Sequence, residues 1–69
     1  MKKTIKIEGM SCEHCAKKVD LALKSIAEVK KVKVQLKKKE AIVTLDASVD
    51  NQVLTSAIES LGYQVTEIL

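Results

Sequence analysis

The stretch TIKIEGMSCEHCAKKVDLALKSI, residues 4–26, is the most informative about the fold, because its hydrophobic period changes once, at a short break that begins with glycine. Residues 4–8 alternate polar and apolar side chains, which is typical of a half-buried strand. After the break, apolar residues recur every three or four positions, as on one face of an α-helix. These residues are Cys15, Val19, Ala22, Leu23 and Ile26. The stretch therefore predicts a strand, a loop and a helix.

The rest of the chain contains two more alternating runs, a second helical run and a final strand. The alternating runs at 32–36 and 41–45 flank a lysine turn at 37–39, which lacks glycine and asparagine and leaves the turn type open. A second helix follows, with Ser48 or Asp50 as its N-cap and Gly62 as its C-terminal cap. Its apolar side carries Val53, Leu54, Ala57, Ile58 and Leu61. Residues 63–68 form the last strand. The order β-α-β-β-α-β predicts a ferredoxin-like α+β sandwich, with a four-stranded antiparallel sheet and both helices on one face.

Length and composition limit the class of protein. The 69 residues suffice for one domain, 1–69, with a thin core and no deep catalytic pocket. Tyr63 is the one aromatic residue, and all twelve basic residues are lysines. Nucleic-acid modules use aromatic platforms or arginine forks, so no nucleic-acid partner is expected. The net charge of +3 suits an acidic protein partner or simply solubility.

No targeting or membrane-inserted segment is evident. The first lysines lead directly into the alternating strand, and no apolar run approaches the roughly 18 residues of a spanning helix. We therefore expect a cytoplasmic location, where thiols stay reduced and two cysteines indicate metal or redox chemistry. Met1 at the start, and an end directly after the last strand, favour a complete small protein over an excised domain.

Cys12 and Cys15 are the candidate metal-binding or redox-active residues. Their spacing allows a loop and the first helical turn to direct two sulfurs at one point, and the helix N-terminus favours the thiolate form. Soft thiolates select soft ions, first copper(I), with silver(I) and mercury(II) also suited to two sulfurs. His14 is expected to face solvent, because adjacent helical residues point about 100° apart. Redox chemistry and two inert, buried cysteines are the alternatives from spacing alone.

The segment Gly9-Met10-Ser11-Cys12-Glu13-His14-Cys15 resembles the metal-binding loop of the heavy-metal-associated domain family, and in particular that of the small bacterial copper chaperones. The similarity extends over essentially the whole chain, including AIESLGY at 57–63. The resemblance implies that Cys12 and Cys15 bind copper(I). It further implies that Met10 turns inward as an apolar tether and does not ligate, although a thioether is a legitimate copper(I) ligand.

Other residues are implied to support the metal site. Within the loop these are Gly9, Ser11 and His14. By the resemblance, Tyr63 lies near the loop, where it either shields the site or hydrogen-bonds near a sulfur; a half-buried strand aromatic is the alternative.

The resemblance implies a non-enzymatic copper(I) metallochaperone that passes its ion by ligand exchange to the metal-binding domain of a copper-transporting P-type ATPase. A copper-responsive repressor is a second possible client. We expect a monomer without metal, and two exposed dithiols can share one copper between chains. Lys17 and Lys18 lie near the N-terminus of the first helix, where the dipole disfavours cations. They either dock an acidic partner or form an ordinary solvated face.

Three alternatives stay open. One is a mercury-binding or other soft-metal module, including the N-terminal domain of a larger transporter or reductase. Another is zinc bound between two chains, with His14 as a ligand. The third is a thiol–disulfide oxidoreductase, which the absence of any proline disfavours, because thioredoxin-like enzymes place a cis-proline beside the dithiol.

Overall fold

The computed structural model describes residues 1–69 and has its strands and helices in the predicted order. The elements are β1 (Lys2–Glu8), α1 (Glu13–Lys24), β2 (Val29–Gln35), β3 (Glu40–Leu45), α2 (Asn51–Glu59) and β4 (Gln64–Ile68). The strands are arranged β2-β3-β1-β4, and every neighbouring pair is antiparallel. This architecture confirms the ferredoxin-like prediction.

The core lies between the sheet and the two helices. Alternate residues of the central strands point into it, and each helix contributes residues four positions apart. The seven largest side chains that are less than 2% exposed are Ile5, Ile7, Leu23, Leu54, Ile58, Val19 and Val43. Burying one such side chain stabilises the fold by about 1.5–3 kcal/mol. The apolar periodicity of the sequence therefore predicts the layer to which each element contributes.

The first helix is shorter than its apolar period predicts. It ends at Lys24, because the Ser25 hydroxyl donates to the Ala22 carbonyl at 2.6 Å and so occupies an acceptor at the helix end. Ile26 was predicted on the helix but lies in the turn after it. Its side chain still packs against the core, so the apolar spacing continues where the helical backbone does not.

The structure defines both ends of the second helix, for which the sequence offers two N-cap candidates and too late an end. Of its two candidate caps, Asp50 is the N-cap, and its carboxylate accepts the Gln52 amide at 3.1 Å. The helix ends at Glu59, so Leu61 lies beyond it, although Leu61 was predicted on its apolar face. Gly62 has φ +96° and turns the chain towards β4 in the left-handed region, as predicted.

The lysine turn forms a tight hairpin without glycine. The Lys39 amide donates to the Leu36 carbonyl at 3.1 Å, and Lys39 itself adopts φ +55°. A non-glycine residue in this left-handed region costs about 1 kcal/mol or more. The backbone conformation of Lys39 is therefore locally unfavourable in free energy, and the pairing of β2 with β3 offsets this.

The strand order places the cysteine loop beside the entry to β4. β1 is a central strand, and its last residue, Glu8, pairs with Gln64 at the start of β4. The loop that follows β1 and the residue that precedes β4 therefore lie at the same end of the sheet. No helix is long and apolar enough to cross a bilayer.

Candidate metal centre

Two thiols converge at the N-terminus of α1. Cys12 is the N-cap residue, with an extended backbone (φ −151°, ψ 169°), and Cys15 lies in the first turn of the helix. Their sulfurs are 3.5 Å apart, and both thiols are free. Cys12 is exposed and its side chain makes no capping hydrogen bond, whereas Cys15 is half-buried. One soft metal ion can therefore contact both sulfurs from the solvent side.

The surroundings of Cys15 favour its thiolate. The pKa of this thiol falls from its ordinary value of 9.0 to about 6, first because of the Tyr63 hydroxyl, then because of the Ser11 backbone amide and the Cys12 side chain. Partial burial opposes the shift but does not reverse it. At neutral pH Cys15 is thus mainly ionised, which is the form that binds soft cations.

Tyr63 and the metal loop are in direct contact. Gly9 has φ +97°, and a Cβ atom built there would lie 3.5 Å from Cδ1 of Tyr63. Glycine is required at this position by its backbone angle, whereas a Cβ atom would make only an ordinary van der Waals contact with the tyrosine ring. The interaction with Cys15 raises the pKa of the Tyr63 hydroxyl, with burial as the next cause. The hydroxyl therefore stays protonated and able to donate to the thiolate.

Met10 points away from the solvent side of the loop. Its side chain is 4% exposed and belongs to the core cluster that also contains Ile7 and Leu54. Met10 therefore faces inward, and its role as a tether that does not ligate stays a prediction. The loop is thus held at one end by a buried side chain while its two cysteines remain accessible.

The remaining loop residues lie at the surface. Ser11 and His14 are exposed, and no group of three His, Cys, Asp or Glu side chains is placed to hold a metal ion. Lys17 and Lys18 are also exposed, and neither takes part in an ion pair. Within one molecule, the site therefore presents two sulfurs to a metal, with free positive charge on the same helix.

The contact between Gly9 and Tyr63 was not predicted from the residues themselves. These residues are far apart in the chain, and only the antiparallel pairing of β1 with β4 brings them together. The alternation at 63–68 predicts a strand but not the strand with which it pairs. If its pairing with β1 were known, contact between Tyr63, just before β4, and Gly9, just after β1, could be predicted.

Comparisons with known proteins agree with this arrangement. The sequence profile of the family described as heavy-metal-associated domain matches residues 4–64. The chain is 46% identical to the copper chaperone CopZ of Enterococcus hirae, over 99% of this chain and 100% of that protein. It is 32% identical to a probable copper-exporting P-type ATPase of Archaeoglobus fulgidus, over 97% of this chain but 8% of the ATPase.

Two further matches bear on the choice of metal and on the fold. A mercuric reductase of Shewanella putrefaciens is 40% identical over 91% of this chain and 11% of the reductase. A solved structure described as CopZ metallochaperone superposes with a TM-score of 0.90 at 34% identity, covering 96% of this chain and all of the other.

Proposed function

The chain belongs to the heavy-metal-associated domain family, and from this premise we propose that it is a cytoplasmic copper(I) chaperone that delivers its ion to a copper-transporting P-type ATPase. The observation that carries the proposal is the pair of sulfurs 3.5 Å apart at an exposed helix N-terminus. A relative of matching length is named a copper chaperone. We assign residues 1–69 to a single heavy-metal-associated domain.

Cys12 and Cys15 are the proposed ligands for the copper cargo. Thiolates are soft donors, and copper(I) is among the ions that they select. The lowered pKa of Cys15 supplies one thiolate at neutral pH without competition from a proton. Met10 is buried in the core and is proposed as a tether only. Gly9, Ser11 and Tyr63 support the loop and the thiolate, and His14 is not needed as a ligand within one chain.

Release is proposed to occur by ligand exchange. A partner thiolate forms a third copper–sulfur bond, one resident sulfur then leaves, and the oxidation state of copper does not change. Cys12 is exposed and lacks a capping bond, whereas Cys15 is half-buried and interacts with Tyr63. We therefore expect the partner to displace Cys12 first.

The proposed partner is the metal-binding domain of a P-type ATPase. The match to a copper-exporting ATPase covers nearly all of this chain and only 8% of the ATPase, which is consistent with a small domain of similar sequence in the transporter. Lys17 and Lys18 are unpaired and available to an acidic partner surface. Two further proposals remain. A copper-responsive repressor as a second client rests on the family resemblance alone, and a copper-bridged dimer rests on the exposed dithiol.

The chain is not an enzyme. Relatives of matching length are named copper chaperones, and the match to a mercuric reductase covers 11% of that enzyme. Catalysed reduction of insulin above the level of a simple dithiol would contradict this assignment.

The test is a titration of anaerobically reduced protein with copper(I) against a chromophoric copper(I) chelator. The wild type is expected to withdraw one copper per chain, and Cys12→Ser and Cys15→Ser are expected to lose that ability. His14→Ala is the matched control, because it lies between the cysteines and is exposed; it should retain the wild-type stoichiometry.

Mercury(II) is the second candidate cargo, favoured by the reductase match. A parallel titration with mercury(II) and zinc(II) separates the two. If copper(I) is not withdrawn from the chelator while mercury(II) binds tightly, the copper proposal is wrong and the same two cysteines serve a different metal.

A further inference from the structure

A groove lined by lysines runs along the β2 side of the sheet, from the face that the helices leave open to the end of α1, where Lys24 lies. Its volume is about 460 Å³, and five lysines line it together with Val32, Ile42 and Thr44. The lysines are Lys2, Lys24, Lys30, Lys31 and Lys33. We call this feature the lysine groove. The site described above uses none of its residues.

The strand register explains how the lysines come together. Lys2 of β1 and Lys31 of β2 both pair with Thr44 of β3, and Lys33 pairs with Ile42. Val43 of β3 is buried in the core, so its neighbours Ile42 and Thr44 point to the outer face. Strands lie about 4.8 Å apart, which places the backbones of Lys2 and Lys31 about 10 Å apart across a neutral strand. Both long side chains can thus reach one anionic group between them.

The positive charge of the groove is only partly compensated. Lys2, Lys31 and Lys33 form no ion pair. Lys24 and Lys30 contact carboxylates at 3.3 and 3.6 Å, and these pairs are exposed to solvent and weak. No acidic residue lines the groove. An anion bound there would relieve repulsion between three like charges.

The lysine groove and the metal loop lie at opposite ends of β1. Six residue steps of about 3.3 Å separate Lys2 from Glu8, which gives roughly 20 Å, and the metal loop begins at the next residue. This distance is a large part of the longest dimension of the molecule, 30 Å. A partner that takes the metal must contact the loop, so a surface bound at the lysine groove makes a separate contact and leaves the cysteines free.

We propose that the lysine groove binds an anionic lipid surface peripherally, without insertion, and so orients the metal loop away from the membrane. Lysine ammonium groups are suited to phosphate as point charges. Val32 and Ile42 supply apolar side chains within the groove, and Leu69, which is 65% exposed, pairs with Thr4 at the same end of the sheet. Lysines combined with apolar side chains are typical of a lipid interface, whereas acidic protein and nucleic-acid surfaces do not require the apolar groups.

The expected effect of each lysine is moderate. A basic side chain near an anionic leaflet strengthens binding by about fivefold. Loss of Lys2, Lys31 and Lys33 should therefore weaken binding by about a hundredfold. The attachment is reversible and salt-sensitive, because exposed charges are screened beyond about 8 Å at physiological ionic strength. It does not depend on which metal the cysteines bind.

The test is flotation of the reduced, metal-free protein with vesicles of phosphatidylcholine containing 30% phosphatidylglycerol, at low and high salt. The variant K2Q/K31Q/K33Q removes the three unpaired charges from the groove. The matched control, K17Q/K18Q/K37Q, removes three exposed, unpaired charges elsewhere. We expect the wild type and the control to bind at low salt, the groove variant to bind about a hundredfold more weakly, and all binding to be lost on pure phosphatidylcholine or at 0.5 M salt.

Three outcomes would overturn the proposal. Equal losses in the two triple variants would mean that net charge, rather than the groove, binds the lipid. Strong protection of the cysteines from a thiol reagent on vesicles would mean that the loop faces the membrane. Absence of vesicle binding, with polyglutamate perturbing the amide resonances of the groove lysines, would identify an acidic protein surface as the occupant instead. Titration of the same samples with copper(I) measures metal binding independently. A failure of the lipid-binding proposal can therefore be distinguished from a failure of the proposed copper function.

Discussion

Truncation of Met10 separates a structural role in the metal loop from a role as a ligand. The side chain is 4% exposed and lies in the core cluster. Met10→Ala removes three heavy atoms. The free energy of transfer from water to the core is about 0.8 kcal/mol for each, or about 2.4 kcal/mol together. The cavity left behind adds to this cost, so we expect a loss of about 3 kcal/mol in the free energy of unfolding.

The matched variant is Met10→Leu, which keeps the volume and removes the sulfur. Volume-conserving core substitutions usually cost less than about 1.5 kcal/mol. Urea denaturation of the reduced apo protein, followed by far-UV circular dichroism, measures both variants. In a domain of this size each kcal/mol changes Tm by roughly 4–8 °C, so Met10→Ala should melt at least about 12 °C below the wild type.

Copper titration of Met10→Leu then decides the role of the sulfur. We expect wild-type stoichiometry and affinity, because a tether needs only an apolar side chain of the right size. A tenfold or larger loss of copper(I) affinity, with an unchanged urea midpoint, would show that the thioether ligates. If Met10→Ala lowers the free energy of unfolding by less than about 1 kcal/mol, the stability argument is refuted, because truncating a buried methionine to alanine lowers it by more.

Three further predictions concern the thiolate, the hairpin and a helix cap. The free energy of unfolding of the reduced apo protein should rise between pH 6 and pH 9 in urea titrations, because the pKa of Cys15 is about 6 when folded and 9.0 when unfolded. Tyr63→Phe should raise the pKa of Cys15, as measured by thiol alkylation, and so reduce this gain in stability. Lys39→Gly should stabilise the protein by about 0.5–1 kcal/mol in chemical denaturation, because glycine adopts φ +55° without steric cost. Asp50→Ala should cost about 1 kcal/mol by the same assay, and Asp50→Asn clearly less, because asparagine can still accept the Gln52 amide.

Each of these has a contradicting result. Stability that falls from pH 6 to pH 9 would mean that the protonated thiol is the form that the fold favours. A Tyr63→Phe variant with an unchanged alkylation profile would assign the lowered pKa of Cys15 to the loop backbone amides and the Cys12 side chain. Destabilisation by Lys39→Gly would mean that the lysine side chain contributes more than its backbone angle costs, and equal losses for both Asp50 variants would remove the cap as their cause.

Much of the fold could be predicted because its signals are local. The change from alternation in β1 to a period of three to four in α1 occurs within residues 4–26, and each period specifies which side chains face the core. The spacing of Cys12 and Cys15 likewise brings both sulfurs to one helix terminus without any distant residue. Patterns of this kind depend on backbone geometry over one or two turns, so they can be predicted from the sequence alone.

Features that depend on strand order, or on competition between neighbouring groups for hydrogen bonds, are fixed only in the folded chain. Tyr63 reaches Gly9 and Cys15 only because β4 pairs with β1, more than fifty residues away. The lysine groove exists because β1 and β2 both flank β3, a fact that no local pattern contains. Helix ends were mispredicted for a related reason: a single side-chain hydrogen bond, such as that of Ser25, outweighs an apolar period that continues past it. Periodicity encodes which face of an element is buried, whereas contacts between elements arise only when the chain is assembled.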